Sequence, residues 1–262
     1  MDKKGKIKKD KAVKVFIILA AITFLFVLVV STASSRKLLV LKHFVYNDST
    51  FYSTNRIILQ NHNLFELAKI RSKKEAELML AQKDTFGLAV NLKDSIVWLM
   101  LKGIHVHGAK IQRFEQDRFF KSLNPLAYVY FFSKPLRTQS ESSTIVKEPI
   151  VTMKAPKDTI EAINNAFMPD TLIQNPAYFR LDLENGFRLI LIQKVFSTAE
   201  EKKVERQFKK ELSYRKIVDN LLCFMPWKKV SYTPTLILYL NPNEIRSIYR
   251  AVPENALVIF TY

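Results

Sequence analysis

The chain has 262 residues, 48% of them hydrophobic and 19 of them Phe, so it can bury a sizeable core and is not a disordered segment. Its formal charge of +17 favours anionic partners, and its single cysteine excludes an internal disulfide framework. No three of its glycines form a phosphate-binding loop, which argues against the common nucleotide-binding motifs; they are Gly5, Gly87, Gly103, Gly108 and Gly186.

The N-terminal region combines a lysine-rich head, residues 1–14, with an uncharged apolar segment, residues 15–35, that begins at Val15 and ends at Ser35. A helix of about 20 apolar residues spans the hydrocarbon core of a bilayer. Because positive charge beside a first membrane segment tends to stay cytoplasmic, we expect a single-pass inner-membrane protein with a cytoplasmic N-terminus and a periplasmic C-terminal domain. The alternative is a signal peptide cleaved after Ala33.

Residues 36–84 are predicted to form a stalk. The Asn61-His62-Asn63 break can cap a helix, and strong helix formers follow over residues 75–83. We expect this stalk helix to hold the next domain away from the bilayer.

Residues 85–132 have the pattern of a β-meander that forms the first half of the exported domain. Three β-like runs, GLAVNL, SIVWLML and IHVHGAKI, are separated by the turn pairs Lys93-Asp94 and Lys102-Gly103. A short helix over residues 115–123 and a strand over residues 126–132 follow. Residues 133–158 are rich in Pro, Ser, Thr and Lys, which predicts a linker or long loop.

Residues 159–262 form the predicted second half, an α+β region that starts with a short helix over 159–167. A hairpin over residues 178–196 turns at Asn185-Gly186, since this pair accepts the positive φ angles of a type I′ turn. The second arm is apolar on both faces, which favours a central strand. Ser197 and Glu200 form a predicted capping box for an amphipathic helix that Pro226 ends. A strand over 235–240, a helix over 243–250 and a strand over 256–262 complete the chain.

The amphipathic helix carries the candidate interaction surface, a group of basic residues away from its apolar side: Lys202, Lys203, Arg206, Lys209 and Lys210. These side chains form either a solvated basic face or a docking surface for an acidic partner.

No catalytic set, cofactor site or metal site is expected. Cys223 lies among apolar residues, which is typical of a buried small side chain and not of an activated thiol. His105 and His107 flank Val106, so on a regular strand both rings point the same way. They are either a satisfied or solvent-facing pair or the beginning of a metal site, and no third ligand lies close in sequence.

Two stretches carry a family resemblance. Residues 236–262, LILYLNPNEIRSIYRAVPENALVIFTY, resemble the closing strand-helix-strand of the YkuD-type L,D-transpeptidases, through Tyr249, Val252-Pro253 and the strand Leu257-Val258-Ile259. Residues 88–111 are similar to the opening hairpin of that family. The resemblance implies a catalytically inactive relative, because the family's catalytic Cys, His and Arg positions fall on Ile237, Thr235 and Tyr239.

The predicted fold class is therefore α+β: a single N-terminal transmembrane helix and a stalk helix, followed by a β-rich mixed exported domain. The predicted function is that of a non-catalytic scaffold or interaction subunit of a bacterial envelope machine for secretion, motility or the cell wall. Its expected partners are other envelope proteins or peptidoglycan, together with the bilayer, in a homo-oligomer or hetero-complex without nucleic acid. The alternative is a peptidoglycan-acting enzyme or pseudo-enzyme. A membrane-tethered nucleic-acid-binding protein would require the opposite topology.

Overall fold

A computed structural model describes residues 13–14, 16–28, 51, 53, 55, 57, 61–147, 176–196, 198–222 and 233–262. The main helices are α1 (His62–Ala81), α2 (Arg118–Lys121), α3 (Pro125–Phe132), α4 (Ala199–Leu222) and α5 (Pro242–Ala251). The strands are β1 (Phe86–Asn91), β2 (Ile96–Leu101), β3 (Ile104–Lys110), β4 (Arg113–Gln116), β5 (Leu136–Ser143), β6 (Tyr178–Leu183), β7 (Arg188–Gln193), β8 (Thr235–Leu240) and β9 (Leu257–Thr261). The architecture is α+β, built on one large mixed sheet.

The N-terminal transmembrane helix of the predicted fold class is contradicted. Within the described part of the chain, no helix is both long enough and apolar enough to cross a bilayer. Of the segment predicted to span, residues 16–28 are helical.

The sheet curls until its two ends meet. Its strand order is β3-β2-β1-β9-β5-β6-β7-β8-β4, so β3 and β4 stand at opposite ends. Only Ile111 and Gln112 separate these two strands along the chain. The Ile111 amide donates to the Ser95 carbonyl at 2.8 Å, and the Gln112 amide donates to the Tyr239 carbonyl at 2.9 Å. Two consecutive residues therefore bond near opposite ends of the strand order: Ile111 bonds to the residue that precedes β2, and Gln112 bonds to β8.

The inner side of the curled sheet holds one continuous apolar core. Both halves of the chain supply it, with side chains that include Leu88, Val97, Leu99, Phe179, Leu181, Leu189, Leu191, Leu236, Leu238, Val258 and Phe260. Helices α3 and α5 add Leu126, Phe131 and Ile245, which are also buried. The predicted first and second halves therefore share a core, since neither could bury its apolar strand faces alone.

The predicted stalk helix packs against the sheet instead of holding a domain away from a bilayer. Helix α1 begins as expected after Asn61, whose Oδ1 accepts a 2.9 Å hydrogen bond from the Asn63 amide. Its residues Ala76 and Leu80 are buried against the outer side of β1, β2 and β9. A Cβ on Gly87 would stand 2.5 Å from Leu80 Cδ1, so α1 approaches β1 closely only because residue 87 is glycine.

Two predictions between residues 126 and 158 are wrong. Residues 126–132, predicted as a strand, belong to helix α3, which starts at Pro125 with Asn124 Oδ1 accepting from the Ala127 amide at 2.7 Å. An unbroken apolar run does not distinguish a strand from a buried helix. Residues 136–143, predicted as part of a linker, form β5, which pairs with β9 through Leu136 and with β6 from Thr138 onward.

The second half follows its prediction closely. In the hairpin turn, φ is 63° at Asn185 and 74° at Gly186, and β7 lies in the interior of the strand order. The capping box is one residue later than predicted: the Glu201 amide donates to Thr198 Oγ1 at 3.2 Å, and the Thr198 amide donates to Glu201 Oε2 at 3.1 Å. Several predictions lie outside the described residues, namely those on residues 148–167, Ser197, Cys223 and Pro226.

Candidate interaction surface

Helix α4 lies on the outer side of the second half of the sheet. It connects the parallel strands β7 and β8, and such a crossover helix covers one sheet face. Phe208 is buried against the outward-pointing side chains of Ile190, Ile192 and Ile237. Its ring also lies 5.0 Å from that of Tyr178, centroid to centroid. The helix is therefore seated by one aromatic side chain and the apolar patch beneath it.

The five predicted basic residues are exposed and lie on the opposite side of α4. At 100° per residue, they fall within an arc of about 120° that points away from Phe208. We call this set the basic strip: Lys202, Lys203, Arg206, Lys209 and Lys210. Four of them line a shallow depression of about 580 Å³, together with Gln207 and Ser213. The structure thus brings the predicted residues together on one surface.

Most of the charge in the basic strip is not neutralised locally. Lys209 pairs with Glu205 at 2.5 Å, whereas the other four cations form no ion pair with any described residue. Lys202 and Lys203 also lie near the N-terminus of α4, where the helix dipole disfavours positive charge. These positions bring no evident benefit to the helix itself, which distinguishes the strip from an ordinary stabilising surface.

An ionic network beneath α4 adds to its attachment. Arg180 on β6 contacts Glu211 on α4 at 3.4 Å and Asp182 at 3.3 Å, and Asp182 accepts a 2.5 Å hydrogen bond from Arg188. The side chains of Arg180, Arg188 and Asp182 are largely shielded from solvent, so these pairs are screened less than surface pairs. The network helps to fix the direction in which the basic strip faces.

The histidine pair does not form a common site. A β-bulge between Leu99 and Met100 leaves Val106 without a partner, so His105 pairs with Met100 and His107 with Leu99. The prediction that both rings point the same way is wrong for this reason. His105 stacks on Trp98 at 4.7 Å, whereas His107 Nε2 lies 2.5 Å from Glu244 Oε2 at the start of α5. Within the described ranges, no three His, Cys, Asp or Glu side chains are grouped as they would be around a metal ion.

The three positions singled out by the family resemblance lie on β8 beside α4. Ile237 packs under Phe208 as part of an apolar cluster. Tyr239 donates a hydrogen bond to Glu115 Oε1 at 3.1 Å. Burial, together with the Glu115 carboxylate, raises the pKa of Tyr239 to about 12, so its phenol stays protonated at neutral pH. This face of β8 is occupied by structural contacts.

One polar pocket was missed from the sequence. It lies between α1, the β1–β2 turn and the end of β9, and its lysines Lys69, Lys73 and Lys93 come from two separate elements. The sequence shows that Lys69 and Lys73 have the i, i+4 spacing of one helix face. Their place in the same pocket as Lys93 depends on how α1 packs on the sheet.

No family model, no curated protein and no solved structure matches this chain. The relationship to the L,D-transpeptidases stays a prediction.

Proposed function

We propose that the protein is a non-catalytic interaction subunit of the bacterial cell envelope, which binds an acidic partner protein through the basic strip. The observation that carries this proposal is the local charge balance of α4, where four exposed cations have no ion pair among the described residues. Such cations attract an acidic surface before contact and select against basic ones.

The shape of the surface supports a protein partner. From Lys202 to Ile217 the exposed side of α4 extends for about 22 Å. Tyr214 and Ile217, which are 69% and 44% exposed, lie toward the C-terminal end of the same side. Interfaces combine charged rims with aromatic and apolar contacts, and both kinds of residue are present on this helix.

The envelope location rests on composition. A lysine-rich head followed by an uncharged apolar run is typical of sequences that direct a chain to the envelope. We propose a role on the periplasmic side, within a machine for secretion, motility or the cell wall, as one component of a homo-oligomer or hetero-complex. The proposal does not require a transmembrane helix.

The test compares two charge-reversal variants of the full chain in quantitative co-purification from envelope fractions. The strip variant carries Lys203→Glu, Arg206→Glu and Lys210→Glu, and the control carries Lys121→Glu, Lys134→Glu and Lys194→Glu at exposed positions outside the strip. We expect the strip variant to lose its stoichiometric partner by about tenfold or more, while the control retains it. We also expect recovery from the unmodified chain to fall as salt is raised. Equal recovery by both variants would refute the proposal.

The resemblance of residues 88–111 and 236–262 favours a second candidate, an inactive relative of the L,D-transpeptidases that binds peptidoglycan. Sedimentation with purified peptidoglycan tests binding, and a strand cross-linking assay tests turnover. Under this candidate the chain sediments with peptidoglycan and forms no cross-links. Cross-linking that Cys223→Ala abolishes would make the protein an enzyme and contradict both candidates.

A further inference from the structure

Helix α1 carries apolar side chains on the side that faces away from the sheet. Leu67, Ile70 and Leu78 are 61%, 59% and 63% exposed. Lys74 lies between them, and its ammonium donates to Glu77 Oε2 at 2.9 Å, so its aliphatic stem can lie along the helix. At 100° per residue, the three apolar residues and Lys74 fall within an arc of about 80°. We call these four residues the α1 stripe.

The α1 stripe has the dimensions of a helix-docking face. Single exposed apolar residues are ordinary on a protein surface, whereas a row of them along one side of a helix is what paired helices bury. From Leu67 to Leu78 the stripe rises by about 16 Å, which is three turns. A second helix laid along α1 would cover its whole length.

The apolar residues of the stripe match a second copy of the same helix. In two antiparallel helices related by a two-fold axis, residues at equal distances above and below the axis lie opposite each other. With the axis at the level of residues 72–73, Leu67 lies opposite Leu78 of the second copy. At the same level of the axis, Ile70 lies beside the Lys74 stem of the second copy. Each apolar side chain therefore meets an apolar surface.

The charges beside the stripe match a second copy at the same level of the axis. Arg71 and Glu75 lie on one flank of the stripe, where Arg71 Nε donates to Glu75 Oε1 at 2.7 Å. Their side chains are 79% and 40% exposed. The two-fold axis brings this flank against the same flank of the second copy, so Arg71 faces the Glu75 of the second copy and Glu75 faces its Arg71. The guanidinium has further N–H groups, which can contact the second carboxylate while the bond within the helix is kept.

We propose that the chain forms a symmetric dimer in which the α1 stripes of two copies pack antiparallel, with two Arg71–Glu75 contacts across the axis. One position of the axis satisfies both the apolar residues and the charges, which favours a second copy over an unrelated partner. The dimer gives a specific form to the homo-oligomer of the proposed function. Because the stripe lies on α1 and the basic strip on α4, either surface can fail its test while the other passes.

The dimer should be reversible, because its contact is limited to three turns of one helix. Interfaces of this size are at the low end for protein complexes, and we expect a dissociation constant on the order of 10 µM. Well below that concentration the chain is monomeric, and substitutions in the stripe should then leave its stability almost unchanged.

The apolar contact is tested by sedimentation equilibrium of the full chain from about 1 µM to about 200 µM, a range that brackets the expected constant. Leu78→Gln should weaken self-association by about tenfold or more, since the dimer contains the substitution twice and each copy buries an amide in place of an apolar group. Val195→Gln, at an apolar residue that is 64% exposed and lies after β7, is the matched control and should associate as the unmodified chain does.

The charge contact is tested by mixing two variants, Arg71→Glu and Glu75→Arg, at low salt. Each variant alone places like charges across the axis and should associate about fivefold or more weakly. An equimolar mixture should recover the association of the unmodified chain, because the heterodimer again has opposite charges at both contacts. The pair within the helix stays broken in both variants, so recovery can come only from contacts between copies. Lys134→Glu, an exposed charge reversal outside α1, should have no effect.

The proposal is overturned if the unmodified chain stays monomeric up to about 200 µM, or if the mixture associates no better than its two components. Should Leu78→Gln fail to fold, the mixing experiment decides the question, because its substitutions lie at solvent-accessible charges. Partner recovery through the basic strip is measured separately by co-purification, so its result leaves the dimer untouched.

Discussion

Helices α1 and α4 each pack on the outer side of one half of the sheet, but the surfaces that they expose to solvent differ in chemical character. Each covers outward-pointing apolar side chains, α1 with Ala76 and Leu80 and α4 with Phe208. The outer side of α1 combines exposed apolar residues, Leu67, Ile70 and Leu78, with paired charges, whereas the outer side of α4 carries the basic strip. Two helices that pack on the sheet in a similar way can therefore carry different residues on their exposed sides.

The charges differ in the same way. On α1 the cations are balanced within the helix, as in Lys69–Glu66, Arg71–Glu75 and Lys74–Glu77. Pairs at these spacings stabilise a helix slightly and leave little net field. Among the described residues, Lys209 is the one member of the basic strip with such a pair. This difference supports the proposal that the charge of α4 serves an external partner, whereas the charge of α1 stabilises the helix.

The largest expected loss of stability comes from removing the buried side chains that pack the two helices against the sheet. Phe208→Ala and Leu80→Ala each leave a cavity under a helix, and each should lower the free energy of unfolding by about 3–4 kcal/mol. Denaturant unfolding of the purified chain measures this. Leu67→Ala on the exposed side of α1 is the control and should stay within about 0.5 kcal/mol. A loss for Leu67→Ala as large as that for Leu80→Ala would mean that the outer side of α1 is also packed.

The next largest loss of stability is expected from a substitution at Gly87, where α1 approaches β1 closely. Gly87→Ala places a Cβ 2.5 Å from Leu80 Cδ1 and 2.9 Å from the Leu257 carbonyl oxygen, so the helix must shift. We expect a loss of about 1–3 kcal/mol. In the double variant with Leu80→Ala, the clash with the side chain disappears. A double-mutant cycle should therefore show a total loss smaller than the sum of the two single losses. Strict additivity would contradict the steric explanation.

Alkaline pH should lower the stability of the protein through Tyr239, which lies on β8 beside α4. The pKa of Tyr239 is about 12 in the folded protein, above the value near 10 of a free tyrosine. A group whose pKa is raised by folding contributes stability that is complete below pH about 10 and is lost as pH rises toward 12. Unfolding temperatures measured across this range should fall less steeply for Tyr239→Phe than for the unmodified chain. Identical slopes would show that the phenol does not titrate in this way.

The smallest effect concerns the basic strip itself. Lys202→Gln and Lys203→Gln should leave stability unchanged or raise it by about 0.3 kcal/mol, because they remove positive charge near the N-terminus of α4. On α1, Arg71→Gln should lower stability by about 0.3–0.5 kcal/mol through loss of its pair with Glu75. Thermal unfolding at low salt compares the two helices. A clear loss for the strip variants would assign the strip a structural role.

Local patterns predicted the elements whose signals lie within a few residues. The β1–β2–β3 meander, the Asn185-Gly186 hairpin and the closing β8-α5-β9 all form where turn residues and alternation place them. The basic strip was also predictable, because helical periodicity alone gathers its residues on one side. Polar β5 and apolar α3 were not, since the strand is stabilised by pairing with β6 and β9 and the helix by burial.

The sequence by itself determined local conformation and the amphipathic pattern of α4, which depend on neighbouring residues. Tertiary structure decided the closing of the sheet at Ile111 and Gln112 and the packing of α1, because both depend on contacts between distant segments. It also decided the contacts of the two histidines, since one extra residue in β3 turns His105 and His107 to different surroundings. The polar pocket lined by Lys69, Lys73 and Lys93 belongs to the same class, because its lining residues come together only when α1, the β1–β2 turn and the end of β9 are packed together.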